Sequence, residues 1–205
     1  AIFTAKHNSE GTPNIALINT KFAENVIYEY NGASTWKSCS NNLCQDNGYT
    51  PYYSCIDKPN PNEGVECKPE CPIPTSGSAI IINDCYLYSE IVVTGKLNVT
   101  GIPDAQGNLP KIIGGGSNRL FKVGSGGELV VKSLNLTGGV ATNGGCTFVG
   151  NNSVFNCTSC VLTNCRADSY GGALIVENSG YSFLFSSNIS SNKAKYGGAI
   201  FAHEN

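Results

Sequence analysis

Three stretches of this 205-residue chain repeat one another at a nearly fixed spacing: NGGCTFVGNN, YGGALIVENS and YGGAIFAHEN. Their first glycines, Gly144, Gly171 and Gly197, lie 27 (171 − 144) and 26 (197 − 171) residues apart. A period in the twenties with alternating apolar residues is typical of one turn of a solenoid, because a single turn cannot bury its apolar side alone. The repeat therefore predicts an all-β fold in which each strand pairs in parallel with the turns above and below it.

The alternation of apolar and polar residues predicts which side chains face the core, since successive residues of a strand point to opposite faces. Three sets of residues occupy equivalent places in the repeats: Phe3, Phe148, Ile175 and Phe201; Phe22, Val161 and Ile189; and Asn25, Asn164 and Asn192. We expect the two apolar sets to form inward columns. We expect the third set to form a ladder of amides at a corner, as identical side chains do in other stacked strands.

The first and last residues of the chain share a phrase. The letters AIF occur at Ala1 and again at Ala199, a separation of 198 residues (199 − 1). Two interpretations stay open: the chain is about one period of a tandem array, or separate copies meet head to tail. In the second interpretation the interface is formed by four apolar residues: Ile2, Phe3, Ile200 and Phe201. The chain lacks Met and a signal-peptide pattern, which indicates a processed product or an excerpt of a longer protein.

Composition divides the chain into three parts. We expect residues 1–35 to be the closing turns of one β-helix and residues 79–205 to be the opening and middle turns of another. Residues 36–78 lie between them and hold five of the ten cysteines, several prolines and little periodicity. This middle part is predicted to be a disulfide-stapled connector rather than a second core.

The cysteine content indicates an oxidising compartment. All ten cysteines are predicted to form disulfides: Cys39, Cys44, Cys55, Cys67, Cys71, Cys85, Cys146, Cys157, Cys160 and Cys165. Their spacing lacks the paired Cys-x2-Cys pattern of a zinc site, so no metal is expected. Cys157 and Cys160 have the spacing of a redox motif, but no thioredoxin-like βαβ pattern surrounds them, which favours a structural bond. Cys146 replaces an alanine of the later repeats and is expected near Cys157.

Five Asn-x-Ser/Thr sequons agree with an extracellular setting: Asn98, Asn135, Asn151, Asn156 and Asn188. Asn98 and Asn135 each lie between apolar residues, in LNVTG and LNLTG, so strand alternation turns both towards solvent, where a glycan must sit. Glycans on the flanks would also prevent sideways strand pairing. These features predict a secreted or cell-surface glycoprotein that carries N-linked glycans and no other cofactor.

Short apolar strands separated by Gly, Pro and Asn turns also fill residues 96–139, KLNVTGIPDAQGNLPKIIGGGSNRLFKVGSGGELVVKSLNLTGG. This stretch, followed by the YGGA turns, resembles the right-handed parallel β-helices of the pectin-lyase-like superfamily. In particular it is similar to surface proteins with the GGA(I/L)…FxxN repeat of chlamydial polymorphic outer-membrane proteins. The resemblance covers residues 79–205 and 1–33. It implies a right-handed parallel β-helix, and it bears weakly on function because this fold hosts many roles.

Charge and hydropathy disfavour several classes of function. The net charge is −2, only 14% of residues are charged, and no basic stripe is present, so nucleic acid is not an expected partner. No apolar run approaches the roughly 20 residues of a membrane helix, so no membrane span is expected in this segment. The acidic residues are scattered over the turns rather than paired for acid–base chemistry: Asp84, Glu90, Asp104, Glu128, Asp168 and Glu177. Catalysis is therefore not expected, and Arg119, Lys122 and Lys132 are interpreted as solvated surface.

Histidines and tyrosines have simple interpretations beside functional ones. His7 and His203 recur at similar places in the repeated phrase, which fits exposed repeat positions better than a metal site. Tyr30, Tyr170 and Tyr196 precede glycine corners. They predict an aromatic column that packs the corner or stacks on a sugar.

The sequence favours a structural function. We expect a subunit or tandem repeat of an extracellular glycoprotein fibre or surface appendage, whose copies bind one another head to tail through open turns. The alternative is a carbohydrate-binding or adhesive surface module with polysaccharide as its partner. The third hypothesis is a polysaccharide lyase or hydrolase, which requires a groove where two acids, or an acid and a base, converge.

Overall fold

The computed structural model describes residues 67–204 without interruption and, before them, the strands at 2–6, 14–18, 21–23, 26–27, 43–44 and 53–55. Side chains are described from residue 69 to residue 203. Every regular element within these ranges is a β-strand. The predicted all-β class is therefore confirmed for the part of the chain that the structure describes.

The strands before the main stack are β1 (Ile2–Lys6), β2 (Asn14–Ile18), β3 (Lys21–Ala23), β4 (Val26–Ile27), β5 (Leu43–Cys44), β6 (Tyr53–Cys55) and β7 (Cys67–Pro69). Strands β5, β6 and β7 form an antiparallel sheet in that order, within the predicted connector. Directly after β7, Glu70 forms a parallel bridge with Tyr86. The connector thus leads to the first turn of the main stack, which begins at Gly77.

The main stack consists of β8 (Gly77–Ile81), β9 (Cys85–Leu87), β10 (Ile91–Val93), β11 (Lys96–Gly101), β12 (Lys111–Gly114), β13 (Phe121–Val123), β14 (Glu128–Lys132), β15 (Asn135–Thr137), β16 (Val140–Asn143), β17 (Thr147–Val149), β18 (Val154–Thr158), β19 (Val161–Thr163), β20 (Arg166–Tyr170), β21 (Leu174–Val176), β22 (Tyr181–Phe185), β23 (Asn188–Ser190), β24 (Lys193–Ala194) and β25 (Ile200–Glu204). Consecutive strands lie in different sheets, so the chain coils rather than folding back in hairpins.

Three parallel six-stranded sheets form the walls of the coil. The first sheet runs β2-β22-β18-β14-β11-β8, the second β3-β23-β19-β15-β12-β9, and the third β1-β25-β21-β17-β13-β10. A fourth sheet, β16-β20-β24-β4, lies in sequence between the second and third from β16 onward. This arrangement is a parallel β-solenoid, and it confirms the β-helix predicted from the repeat.

The core lies inside the coil and follows the expected alternation. In β11, Leu97 and Val99 are fully buried, while Asn98 between them is half-buried on the outer face. The register places Leu129 of the next turn beside Leu97, and Val131 beside Val99. Leu129 and Val131 are also fully buried. Each large apolar side chain buried in this way contributes roughly 1.5–3 kcal/mol, most of which offsets the entropy of ordering the chain.

The predicted apolar column in the third sheet is wrong in its direction. Phe148, Ile175 and Phe201 are in register with one another, but they lie on the outer face of the sheet. The core positions of these strands are their neighbours, such as Val149 and Val176. Ile175 and Phe201 are nevertheless buried, because the turns that hold β16, β20 and β24 cover this face. Alternation separates two faces, and it cannot tell which is inside when both are apolar.

The second predicted column is correct where Phe22 is in register with Ile189, but this column and the asparagine ladder are each wrong by one residue in the preceding turn. Leu162, not Val161, is in register with Ile189. Asn192 is buried and bonds backbone of the preceding turn, whereas Asn164 is an exposed corner residue with φ 53°. Asn25 lies outside the described residues. The repeat is 27 residues at Arg166↔Lys193 and 26 at Tyr170↔Tyr196, so one residue is lost between those two pairs.

Glycine pairs make the corner before the third sheet possible. Gly144, Gly171 and Gly197 adopt φ values of 60°, 61° and 58°, in the left-handed region that a side chain rarely enters. The second glycines of the first two pairs, Gly145 and Gly172, are packed against backbone. A Cβ on Gly145, for example, would overlap the carbonyl oxygens of Arg166 and Gly172. The GG dipeptide of the repeat therefore combines one conformational requirement with one steric requirement.

Candidate functional site

The four N-terminal strands cover the last turn of the solenoid. Strand β1 lies in parallel register on β25, with Ile2 opposite Ile200 and Phe3 opposite Phe201. Strands β2, β3 and β4 lie on β22, β23 and β24 in the same way. The residues predicted to form an end-to-end interface are thus brought together within one chain. Two segments with the same AIF phrase are stacking partners in adjacent layers.

Four of the five sequons, all but Asn151, are arranged in columns on two outer faces. On the first sheet, Asn98 and Asn156 share a column, separated by Val130 of the strand between them. On the second sheet, Asn135 and Asn188 share a column, separated by Val161. Since neighbouring strands lie about 4.8 Å apart, the two asparagines of each column are roughly 10 Å apart. Such spacing leaves one strand between the attachment points.

The accessibility of the five sequons differs. Asn151, in a turn, and Asn188 are exposed, whereas Asn98 and Asn156 are half-buried on their outward face. Asn135 is also half-buried, and its Oδ1 atom is buried without a hydrogen-bond partner among the described residues. The expected outward direction of Asn98 and Asn135 agrees with the burial of their apolar neighbours. Attachment of glycans at all five stays a prediction.

An aromatic strip, missed by the sequence reasoning, lies on the outer face of β22. Tyr181, Phe183 and Phe185 are 39%, 45% and 44% exposed, and they alternate with the buried residues Ser182 and Leu184. We name these three side chains the aromatic strip. The signal for it is the segment YSFLF, in which every second residue is aromatic. The inward partners are small or aliphatic, so the aromatic residues are those directed to solvent.

Three disulfides are present among the described cysteines: Cys71–Cys85, Cys146–Cys165 and Cys157–Cys160. The first joins the segment after β7 to β9, the second joins two neighbouring turns, and the third closes the corner between β18 and β19. All six sulfur-bearing residues are buried. Cys146, expected near Cys157, is bonded to Cys165 instead, and Cys157 is bonded to Cys160. The side chains of Cys39, Cys44, Cys55 and Cys67 lie outside the described residues.

Arg119 is half-buried and its charge is paired, contrary to its interpretation as solvated surface. Its side chain is only 13% exposed, and its Nη1 lies 3.0 Å from Oε2 of Glu90. It donates hydrogen bonds of 2.8 and 2.9 Å to the carbonyl oxygens of Asn143 and Gly144, and its guanidinium lies 5.0 Å from the centre of the Phe148 ring. Burial lowers the pKa of Arg119, and the charge of Glu90 opposes that effect. The arrangement is a clamp between neighbouring turns.

A cleft of about 450 Å³ lies at the corner between β8 and β9. It is lined by Ile82, Asn83, Asp84, Asp104, Asn108, Leu109, Pro110 and Lys111. Two acids and one base therefore converge there, which is the arrangement that the enzyme hypothesis requires. Asp84 accepts a 2.9 Å hydrogen bond from the backbone N–H of Lys111 and pairs with the Nζ of that residue at 3.3 Å.

Asp104 is engaged by its own loop. Its carboxylate accepts hydrogen bonds from the backbone N–H groups of Gln106 and Asn108 and from Nδ2 of Asn108, at 2.8–2.9 Å. The side-chain and backbone bonds from Asn108 lower the pKa of Asp104 below its ordinary value of 3.8. A general acid needs the opposite shift. Both acids of the cleft thus have hydrogen-bond partners within the chain.

The remaining predicted residues divide between packing and surface positions. Tyr170 and Tyr196 stack with ring centres 5.1 Å apart, as an aromatic column requires, and Tyr170 also contacts Phe201. His203 is half-buried and lies opposite Ala5 in the strand register. Lys132 is exposed. Tyr30, His7 and the side chain of Phe22 lie outside the described residues.

Comparison with known proteins leaves the chain unassigned. No protein-family model matches it, and no curated protein or solved structure does so either. In the described ranges, His, Cys, Asp and Glu side chains do not gather in groups of three or more that could hold a metal ion. The same ranges hold no helix of the length and apolar character that crossing a bilayer requires.

Proposed function

We propose that this chain is a structural subunit or tandem repeat of an extracellular glycoprotein fibre or surface appendage, joined end to end by stacking of solenoid turns. We also propose that it belongs among the right-handed β-helices of the pectin-lyase-like superfamily, with GGA(I/L)…FxxN repeats. One observation carries the proposal: β1 lies on β25 in register, with Ile2 opposite Ile200 and Phe3 opposite Phe201.

The pairing of β1 with β25 is suited to exchange between copies. The ladder is formed by backbone groups, so the same strand of a second copy would fit the same edge. The connection between the layer formed by β1–β4 and the rest of the solenoid is long, because 39 residues (67 − 27 − 1) separate β4 from β7. A strand layer held to its own solenoid by a long connection can exchange with that of a neighbour, which is domain swapping. Such a contact is head to tail and does not close, so it generates filaments.

The side walls support this direction of growth. Sequons occupy columns on the outer faces of the first and second sheets. Glycans there would block contacts between side walls and leave the ends of the stack available. Disulfides within the stack fit the same extracellular setting.

A mixing experiment tests the proposal. Thr4 and Ala202 are opposite each other in the β1–β25 pair. One preparation carries Thr4→Cys and a second, with a different mass tag, carries Ala202→Cys. After co-incubation and mild oxidation, we expect disulfide-linked chains that contain both tags. Electron microscopy of the unmodified protein is expected to show end-to-end filaments.

The control for the mixing experiment is the double variant Thr4→Cys/Ala202→Cys, incubated alone at high dilution. It is expected to form its bond within one chain, which verifies the register. If that bond forms while the mixed single variants never cross-link, and micrographs show only separate monomers at high concentration, the filament proposal is wrong.

A further inference from the structure

The aromatic strip is an exposed apolar surface on the first sheet. Three aromatic side chains in a row, each about two-fifths exposed, form a larger apolar surface than the isolated residues that are common on monomers. The rings are directed outward from a strand whose inward residues are buried. An exposed apolar surface of this kind usually binds something.

A sequon lies on the strand beside the strip. Asn156, on β18, is directly opposite Phe183 in the parallel register. Its neighbours Val154 and Thr158 are opposite Tyr181 and Phe185. Adjacent strands are about 4.8 Å apart, so the first sugar attached to Asn156 lies close to the Phe183 side chain.

We propose that the aromatic strip binds the N-linked glycan attached to Asn156, and that the first sugar of this glycan packs against the Phe183 ring. A pyranose has an apolar C–H face and a polar rim, and it therefore suits an aromatic side chain at a wet surface. Covalent attachment holds the sugar at a high effective concentration beside the rings. This inference rests on the glycoprotein part of the proposed function and is independent of end-to-end assembly.

The attachment step needs a lipid-diphosphate-linked oligosaccharide as co-reactant. The Nδ2 atom of Asn156 forms a bond to C1 of the first sugar and loses a proton. The bond from C1 to the diphosphate oxygen breaks, and the diphosphate leaves with the electron pair. Thr158 supplies the hydroxyl position that completes the sequon.

Asn98 provides a matched comparison on the same face. It lies in the same column as Asn156, is half-buried as Asn156 is, and also belongs to an Asn-x-Thr sequon. Its register neighbours are Ser78 and Val130, neither of which is aromatic. A sugar on Asn98 therefore has the same strand geometry without the rings.

The test measures how fast each glycan is released from the folded protein. The full chain is produced in a eukaryotic secretory host, and its monomeric fraction is treated with a peptide-N-glycosidase under native conditions. Mass spectrometry follows occupancy at Asn156 and Asn98 separately. We expect release at Asn156 to be roughly 2- to 10-fold slower than at Asn98, the range that corresponds to a favourable aromatic contact.

Two variants assign the difference to the strip. Phe183→Ser is expected to bring the release rate at Asn156 up to that of Asn98, while Phe183→Tyr, which keeps a ring, retains the slow release. An unglycosylated Asn156, equal rates in the unmodified protein, or slow release that survives Phe183→Ser each overturn the inference. A further measurement uses free oligosaccharides: binding to the strip with equal affinity in the unmodified protein and in Asn156→Gln would show an open sugar-binding surface instead.

Discussion

Arg119 and Glu90 form an ion pair of 3.0 Å between neighbouring turns, with the arginine almost enclosed beneath the Phe148 ring. Replacement of Glu90 by Gln leaves the buried guanidinium without its counter-charge. We expect the free energy of unfolding to fall by about 1–3 kcal/mol, because the carboxylate itself is partly exposed. Chemical denaturation measures the change.

The control for this pair is Glu128→Gln. Glu128 pairs with Lys96 at 3.0 Å, but the lysine is 60% exposed. An exposed pair of this kind contributes about 0–1 kcal/mol. Equal losses in the two variants would contradict the view that Arg119 is a buried clamp.

Asn192 binds the preceding turn through both ends of its amide. Its Oδ1 accepts the backbone N–H of Cys165, and its Nδ2 donates to the carbonyl oxygen of Leu162, both at 2.9 Å. Asn192→Ala would leave these two buried groups without partners, so we expect a loss of about 2–4 kcal/mol in urea unfolding.

Asn164→Gly separates this arrangement from an amide ladder. Asn164 is exposed and has a positive φ that glycine adopts without strain. We expect a change within about 0.5 kcal/mol. Comparable destabilisation by Asn164→Gly and by Asn192→Ala would restore the ladder hypothesis.

The alternation of polar and apolar residues predicts correctly which side chains face the core wherever one face of the strand is polar. Asn98 between two buried apolar residues is such a case. The same pattern fails for Phe148 and Ile175, where both faces of the strand are apolar and only the cover from other turns decides burial. It fails again at Asn192, because the alignment placed Ile189 beside Val161 rather than beside Leu162, its partner in the register.

Long-range partners explain why the remaining features were not predicted. Arg119 meets Glu90 across 29 residues, and no local signal connects them. The aromatic strip is visible in the sequence as YSFLF, but its direction depends on which residues fill the core. The pairing of Cys146 with Cys165 likewise depends on the register of two turns, which cysteine spacing does not determine.

Gly145 is predicted to tolerate no side chain. A Cβ there would overlap the carbonyl oxygens of Arg166 and Gly172, which are backbone atoms and cannot move aside cheaply. Gly145→Ala is therefore expected to lower the free energy of unfolding by about 1–3 kcal/mol, the usual cost of overpacking, and to lower the unfolding temperature accordingly. Differential scanning calorimetry provides the measurement.

Gly95→Ala is the matched control for Gly145→Ala. No atom lies within 4 Å of a Cβ built on Gly95. Reduced freedom of the unfolded chain should make this variant neutral or more stable by about 0.4–1 kcal/mol. A variant Gly145→Ala as stable as Gly95→Ala would mean that the stacked glycine corner is looser than the structure indicates.

The loop closed by Asp104 is expected to weaken in acid. Hydrogen bonds from Asn108 lower the pKa of Asp104 in the folded state relative to its ordinary value of 3.8. A lowered folded pKa means that the contribution is fully present above the ordinary value and is lost as pH falls through the folded pKa. Carboxyl-carbon NMR titration should show a midpoint below 3.8, and Asn108→Ala should raise it. A midpoint that Asn108→Ala leaves unchanged would contradict the assigned cause.

The Cys146–Cys165 bond can be removed with little change in packing at one of its ends. Ala173 and Ala199 occupy the place of Cys146 in the next turns, so alanine fits that corner. The bond closes a loop of 19 residues. Loss of such a cross-link in Cys146→Ala/Cys165→Ala is expected to cost about 2–4 kcal/mol, mainly by freeing the unfolded chain.

The unfolding midpoint of the double variant should therefore shift to a lower denaturant concentration, and that of the reduced unmodified protein should shift at least as far. An unfolding midpoint equal to that of the oxidised protein would show that the stacked ladders alone determine the stability of this corner.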